Sequence, residues 1–243
     1  MNLKIGARLL LTCVVLFGAL ACASRADDKG PTTVEPVPRD GGWMQRHESF
    51  NKRVAEGDVG LLLIGDSITQ GWEGAGKDVW AKYYTPRKAV NLGIGGDRTQ
   101  HVLWRLDHGN VDGIQPKLAV LMIGTNNSNG TDNTAEEIAA GIEAIVKKLR
   151  AKLPQTKVLI LAIFPRGKMP NPQRDKNAKA SELAAKTADG QMVYFLDIGK
   201  EFLKPDGALT EDIMPDYLHL SPAGYEIWAK SIEPKVKELI GEK

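Results

Sequence analysis

Cysteine is nearly absent: the 243 residues hold only Cys13 and Cys22, both close to the amino terminus. The rest of the chain can form no internal disulfide and no cysteine-rich metal site, so its stability has to come from a buried core. An excess of one charge is missing too, since 32 Lys and Arg face 30 Asp and Glu. With no basic surplus to neutralise phosphates, nucleic acid is not an expected partner. No His-Glu-x-x-His spacing occurs, and neither a metal nor a cofactor is expected. Internal repeats and low-complexity tracts are also lacking.

Long apolar runs are confined to one place. Leu9 to Ala21 is a 13-residue stretch behind the cations Lys4 and Arg8, followed by small residues at Ala21 and Ala23. That order reads as a secretory signal in residues 1–26, cut near 21–26, because the run is short for a permanent membrane span. An uncleaved anchor is the alternative. Cys22 is a candidate for lipid attachment, although Ala19 and Leu20 depart from the usual lipobox; cleavage after Ala23 or Ala26 fits equally well. Lys4, Arg8 and Arg25 leave with the signal, so 29 cations of 32 remain against 30 acids, and the exported chain is nearly neutral. Residues 27–42 carry Pro31, Pro36, Pro38 and the pair Gly41-Gly42, which predicts a flexible tether. Residues 43–243 are then expected to form one domain, a length suited to a single core.

Within that domain, short apolar runs alternate with amphipathic stretches. Gly60 to Ile64, Ala89 to Leu92, Leu118 to Ile123, Val158 to Phe164 and Met192 to Leu196 read as buried strands. Thr134 and Glu137 form a capping box for a helix to Leu153, with Ile138, Ile142, Ile145, Val146 and Leu149 on one face. Ser221-Pro222 opens a last helix, with Pro234 expected to kink it. Continuous apolar strands separated by helices predict an α/β fold, a three-layer α/β/α sandwich on a mainly parallel five-stranded sheet. Such sheets bind ligands beyond the carboxyl ends of their strands.

The chemistry-bearing residues collect at those ends. The first run closes on Gly65-Asp66-Ser67, which puts a serine at a strand-to-helix turn. On its own Ser67 reads as well as a helix cap as a nucleophile. The second run closes on Gly93-Ile94-Gly95-Gly96-Asp97, where a bare backbone N–H can approach a ligand. The third closes on Gly124-Thr125-Asn126-Asn127, which offers amide donors. A hydroxyl and such donors are what the tetrahedral intermediate of ester cleavage needs. Late in the chain, Asp216-Tyr217-Leu218-His219 spaces an acid to hold a histidine in the tautomer that accepts a proton. The remaining histidines, His47, His101 and His108, lie in or beside helical stretches without partner motifs and are read as structural.

These four blocks, in this order, resemble the SGNH (GDSL-type) hydrolase superfamily. Within it, Asn91 to Leu106, Gly124 to Asn127, Phe164 to Asn171 and Asp216 to Ser221 are similar to the catalytic subunits of platelet-activating factor acetylhydrolase. The resemblance runs from about Trp43 to the carboxyl terminus. It implies a flavodoxin-like fold, Ser67 as nucleophile, His219 as general base and Asp216 as its orienting partner. It also implies an oxyanion hole from the N–H groups of Ser67 and Gly96 and the side chain of Asn126, with Ile68 and Leu218 lining a small acyl pocket. The expected activity is removal of a short acyl group, acetyl above all, from a small-molecule, glycan or lipid ester; a homodimer is expected by the same likeness. Two features depart from it: the animal enzymes lack an export signal, and Trp72 to Lys77 does not align. Two other classes compete. A binding module that kept the fold but lost catalysis is one. A P-loop at Gly71 to Lys77 is the other, weakened by Asp78 where magnesium binding needs Ser or Thr.

Overall fold

The computed structural model describes residues 32–243. The signal peptide read in residues 1–26 and the first part of the tether lie outside the described residues. Five parallel strands form the central sheet: β1 (Leu61–Gly65), β2 (Ala89–Gly93), β3 (Leu118–Met122), β4 (Lys157–Leu161) and β5 (Val193–Leu196). Their order is β2-β1-β3-β4-β5, the flavodoxin-like arrangement, in which the order of strand addition reverses between β1 and β3. In such sheets that switch point is where ligands bind, beyond the carboxyl ends of the two strands.

Alternate residues of the strands feed two separate cores, which is why the runs are apolar throughout. Leu62, Ile64, Leu121 and Ile160 face one core, with Trp43 and Phe50 of α1 (Gly42–Ala55), Leu103 and Leu106 of α4 (Thr99–Asp107), Ile142 and Ile145 of α5 (Ala135–Lys152), and Ala180 of α6 (Pro172–Ala184). Leu61, Leu63, Val120 and Leu159 face the other, with Ile68 of α2 (Ser67–Gln70), Val79 of α3 (Lys77–Tyr83), and Tyr225, Trp228 and Ile232 of α7 (Pro222–Ile240). Each fully buried Leu or Ile contributes roughly 1.5–3 kcal/mol relative to exposure. The two cores, not a cross-link, hold the layers together.

The capping box at α5 forms as its sequence predicts: Thr134 Oγ1 accepts from the Glu137 N–H at 3.2 Å and Glu137 Oε2 accepts from the Thr134 N–H at 2.9 Å. Helix α7 starts at the Ser221 cap and continues through Pro234 to Ile240. The run Val158 to Phe164 is longer than the strand it makes. After Leu161 the chain leaves the sheet, and the Ile163 N–H donates to Ser181 Oγ instead, at 2.9 Å.

The tether expected over residues 27–42 needs correcting. From Thr32 onward the segment is pinned to the domain as a strap, a 3-10 turn over Thr32–Val34 followed by irregular chain up to α1. Thr33 is fully buried; its Oγ1 donates to the Glu137 carbonyl at 2.6 Å, and its own carbonyl accepts from Thr99 Oγ1 at 2.8 Å. The Val37 N–H donates to the Gln100 carbonyl at 3.2 Å. Gly141 makes room for this crossing, since a Cβ there would meet Thr99 Oγ1 at 2.5 Å and Thr33 Cβ at 3.0 Å. Proline and polar residues set an irregular backbone, and it is the threonine hydroxyls that anchor it. The ordered domain therefore begins before Trp43, and Gly42 is already in α1.

Candidate active site

At the end of β1, Gly65 lets the chain turn where a Cβ would meet the Met122 carbonyl oxygen at 2.4 Å and Thr69 Oγ1 at 2.1 Å. The next residue, Asp66, caps α2: its Oδ1 accepts from the Ile68 N–H at 3.0 Å. Ser67 is thereby relieved of the capping role and stands as the first helical residue, with its hydroxyl directed at His219. The Ser67 Oγ lies 2.9 Å from His219 Nε2, across 152 residues of sequence.

His219 is held from the other side. Its Nδ1 lies 2.6 Å from Asp216 Oδ2, while Asp216 Oδ1 accepts from the backbone N–H groups of His219 at 2.7 Å and Leu218 at 3.0 Å. One carboxylate oxygen therefore shapes the turn and the other orients the ring. Burial alone would raise the Asp216 pKa, but the His219 ring and these two N–H groups outweigh it and hold the carboxyl below its ordinary value. Both side chains are about half exposed, so the site is open to solvent. The turn itself needs the left-handed Tyr217 (φ 58°) and is tied to α7, where Ser221 Oγ accepts from the Gly224 N–H at 3.1 Å. One turn further on, Tyr225 donates its hydroxyl to the Ile68 carbonyl at 2.7 Å, which links the histidine-bearing turn to the helix that carries Ser67.

The end of β2 supplies the donors. Gly95 donates its N–H to Gln70 Oε1 at 2.7 Å, and a Cβ on Gly95 would sit 3.8 Å from Ser67 Cβ, so this turn packs directly against the serine. Gly96 has φ 76°, a conformation that glycine takes without strain. Among the described residues, the N–H groups of Ser67 and Gly96 have no acceptor. Asn126, at the end of β3, donates through Nδ2 to the Asp97 carbonyl at 2.9 Å, which brings its amide to the same turn. The Asp97 side chain is buried and holds the turn from below, accepting from Trp43 Nε1 at 2.6 Å and Arg105 Nε at 2.9 Å. Burial raises its pKa against the pull of Arg105.

All five residues singled out in the sequence thus meet at the β1/β3 switch point. The acyl-pocket pair divides. Ile68 is fully buried in the core beneath the site, and only Leu218 keeps exposed surface. The glycines of the P-loop-like stretch serve packing: a Cβ on Gly71 would meet the Tyr225 hydroxyl at 2.0 Å, and one on Gly76 the Trp72 ring at 2.7 Å. Glu73 in the same stretch pairs with Arg46 at 2.7 Å, which is no cradle for phosphate. His47 and His101 are structural, His101 accepting the Arg98 N–H at 3.0 Å. Among the described residues no group of three or more His, Cys, Asp or Glu is placed to hold a metal ion.

Three contributors escaped the sequence reading. Gln70 and Asp97 fix the glycine turn, and Arg39 reaches it from the strap, with Nη1 2.8 Å from the Gly95 carbonyl. The periodic pattern marks none of them, because Gln70 and Arg39 act through the Gly95 backbone and Asp97 through the distant side chains of Trp43 and Arg105, partners that only the folded turn presents.

A flavodoxin-like sheet with a serine, a histidine and an acid in relay, beside unpaired backbone donors, has the architecture of a carboxylic ester hydrolase. The GDSL-like lipase/acylhydrolase family model matches residues 63–227, and the chain belongs to that family. It is 39% identical over 216 residues to the platelet-activating factor acetylhydrolase IB subunit alpha2 of Rattus norvegicus, covering 87% of this chain and 91% of the rat protein. Among solved structures, a GDSL-like lipase from Bacteroides thetaiotaomicron superposes with a TM-score of 0.61 at 20% identity, over 80% of this chain and 97% of the other. A carbohydrate acetylesterase from Sinorhizobium meliloti does so with a TM-score of 0.56 at 22% identity, over 75% and 100%. The likeness to these two structures is one of fold.

Proposed function

We propose that this acylhydrolase is an exported serine esterase that removes a short acyl group, acetyl by preference, through an acyl-enzyme on Ser67. The observation that carries the reading is the unbroken relay from Ser67 Oγ to His219 Nε2 and from His219 Nδ1 to Asp216. A serine hydroxyl becomes a useful nucleophile only when its proton has somewhere to go. As Oγ bonds to the ester carbonyl carbon, its proton passes to His219 Nε2, and Asp216 stabilises the resulting imidazolium. The carbonyl oxygen gains the negative charge and accepts hydrogen bonds from the N–H groups of Ser67 and Gly96 and from Asn126. Collapse expels the alcohol, which takes the proton back from His219. Water then repeats the sequence on the acyl-serine and releases the acid.

The preference for acetyl draws on the names of the relatives, one an acetylhydrolase of platelet-activating factor and one a carbohydrate acetylesterase. Ile68 buried behind Ser67, with the half-buried Leu218 beside His219, agrees with a small acyl group. Export draws on the basic, apolar and small-residue order of residues 1–26. A homodimer is proposed by analogy with the rat relative, whose name makes it a subunit of an assembly. Purified protein lacking residues 1–26 is expected to hydrolyse p-nitrophenyl acetate faster than longer-chain esters. A panel of acetylated xylan, acetylated sugars and a short-chain phospholipid then ranks the alcohol portion. Equal rates on acetyl and long-chain esters would overturn the acetyl assignment. Recovery of the unprocessed precursor in the cytoplasmic fraction would overturn export.

A further inference from the structure

The strap that precedes α1 delivers one side chain to the site. Arg39 Nη1 donates to the Gly95 carbonyl oxygen at 2.8 Å and lies 3.3 Å from Asp97 Oδ1. The Gly95 carbonyl and the Gly96 N–H belong to one peptide group. In a trans peptide they point in opposite directions in a single plane, so fixing one fixes the other. No cis peptide occurs among the described residues.

Arg39 therefore acts on the far side of the peptide whose N–H has no acceptor among the described residues, in a turn where a Cβ on Gly95 would sit 3.8 Å from Ser67 Cβ. A cation bonded to the carbonyl oxygen holds the plane in place and draws electron density through the peptide, which makes the opposite N–H a stronger donor. No other described side chain or backbone N–H donates to that oxygen. Both terminal nitrogens of the guanidinium would lie 3.2 Å from a Cβ on Gly96 and its central carbon 3.6 Å, so the terminal edge of the group abuts the turn and reserves the space a side chain would need.

Simple charge neutralisation does not account for Arg39. The Asp97 carboxylate already has Arg105 at 2.9 Å and Trp43 at 2.6 Å, both nearer than Arg39. Nor is Arg39 needed to hold the strap, which has its own anchors at Thr33 and Val37.

We propose that Arg39 is a positioning residue for the oxyanion hole, which aligns and polarises the Gly96 N–H through the Gly95 carbonyl. The segment ahead of the first helix is on this account part of the catalytic apparatus. The inference rests on the acyl-transfer reading of Ser67 and the donor role of Gly96.

The test compares Arg39→Ala, Arg39→Lys and Ser67→Ala in the signal-free chain with p-nitrophenyl acetate. Arg39→Ala is expected to lower kcat by about ten- to a hundredfold, a part of what loss of a whole donor costs. KM should stay within about twofold, since the N–H matters most as charge develops on the carbonyl oxygen. Arg39→Lys should recover part of the loss. Guanidinium chloride, kept well below denaturing concentration and balanced against sodium chloride at equal ionic strength, should restore kcat of Arg39→Ala alone. A merely structural role would not produce such rescue. Unchanged kcat in Arg39→Ala, a rise in KM at constant kcat, or a loss that guanidinium leaves untouched would each overturn the proposal. If Ser67→Ala is inert while Arg39→Ala behaves as wild type, only the Arg39 inference falls. If Ser67→Ala retains full activity, the acyl-transfer reading falls first.

Discussion

Asn126 donates a hydrogen bond through Nδ2 to the backbone carbonyl of Asp97 at 2.9 Å, so the amide from the end of β3 is clamped to the turn that follows β2. One of its two N–H bonds is spent on that turn, which fixes the plane of the amide and leaves the second for a substrate oxygen. Asn126→Ala removes a transition-state donor and unties two loops at once. The expected result is a fall in kcat of about a hundred- to a thousandfold with KM little changed. Steady-state kinetics on p-nitrophenyl acetate check it, and a change confined to KM would count against the oxyanion role.

Asp216 performs two tasks with two oxygens. In Asp216→Asn the Oδ1 can still accept the N–H groups of Leu218 and His219, so the turn should persist and the unfolding midpoint should hardly move. The amide, however, favours the wrong tautomer of His219. A loss in kcat on the order of ten thousandfold is expected, as for other histidine–aspartate relays. Near-native kcat in a folded Asp216→Asn protein would remove the carboxylate from the relay.

Asp66 is the buried carboxyl next to the nucleophile, with Oδ2 left without a partner. Burial raises its pKa to about 7, assisted by Asp97 and opposed by the Ile68 N–H and by His219. A native pKa above the unfolded one means that the native state binds the proton more tightly. The stabilisation is therefore complete below the unfolded carboxylate pKa and is lost as pH rises through the native value, from about pH 4 to about pH 7. Asp66→Asn keeps the cap acceptor and removes the titration. Urea midpoints should show the variant gaining on wild type between about pH 4 and about pH 7. A difference independent of pH would contradict this.

Beneath the glycine turn, Arg105 is fully buried and divides its donors among Asp97 at 2.9 Å, Asn110 Oδ1 at 2.7 Å and the Leu92 carbonyl at 2.9 Å. Arg105→Met removes the buried cation from Asp97, which keeps only Trp43 and the partly exposed Arg39, and takes the donor from Asn110 Oδ1. A loss of about 3–5 kcal/mol is expected, read by urea denaturation. A loss below about 1 kcal/mol, the scale of an exposed ion pair, would show that Asp97 is held by other means.

The strands were legible because a sheet covered on both faces writes itself as unbroken apolar runs, and the site because four short blocks sit at the ends of such runs. The ends of elements were less so. Val158 to Phe164 reads as one strand because hydropathy does not register where Ser181 replaces a neighbouring strand as acceptor. The strap was misread for a related reason: proline and polar residues describe a backbone conformation but not its partners. Thr33 and Arg39 are held by carbonyl oxygens, and Asp97 by the N–H donors of Arg105 and Trp43, whose positions exist only once α1, α4, α5 and the glycine turn are assembled. The choice between cap and nucleophile at Ser67 was likewise open in the sequence. Asp66 decides it by taking the cap itself.

The central claim is that Ser67 carries the acyl group during turnover. Rapid quenching of wild type with p-nitrophenyl acetate, followed by mass spectrometry of its peptides, tests this most directly. One acetyl group should appear on the peptide containing Ser67, while Ser67→Ala shows neither the adduct nor turnover above the buffer rate. Wild-type turnover by Ser67→Ala, or an acetyl group trapped on another residue during steady-state turnover, would contradict the account.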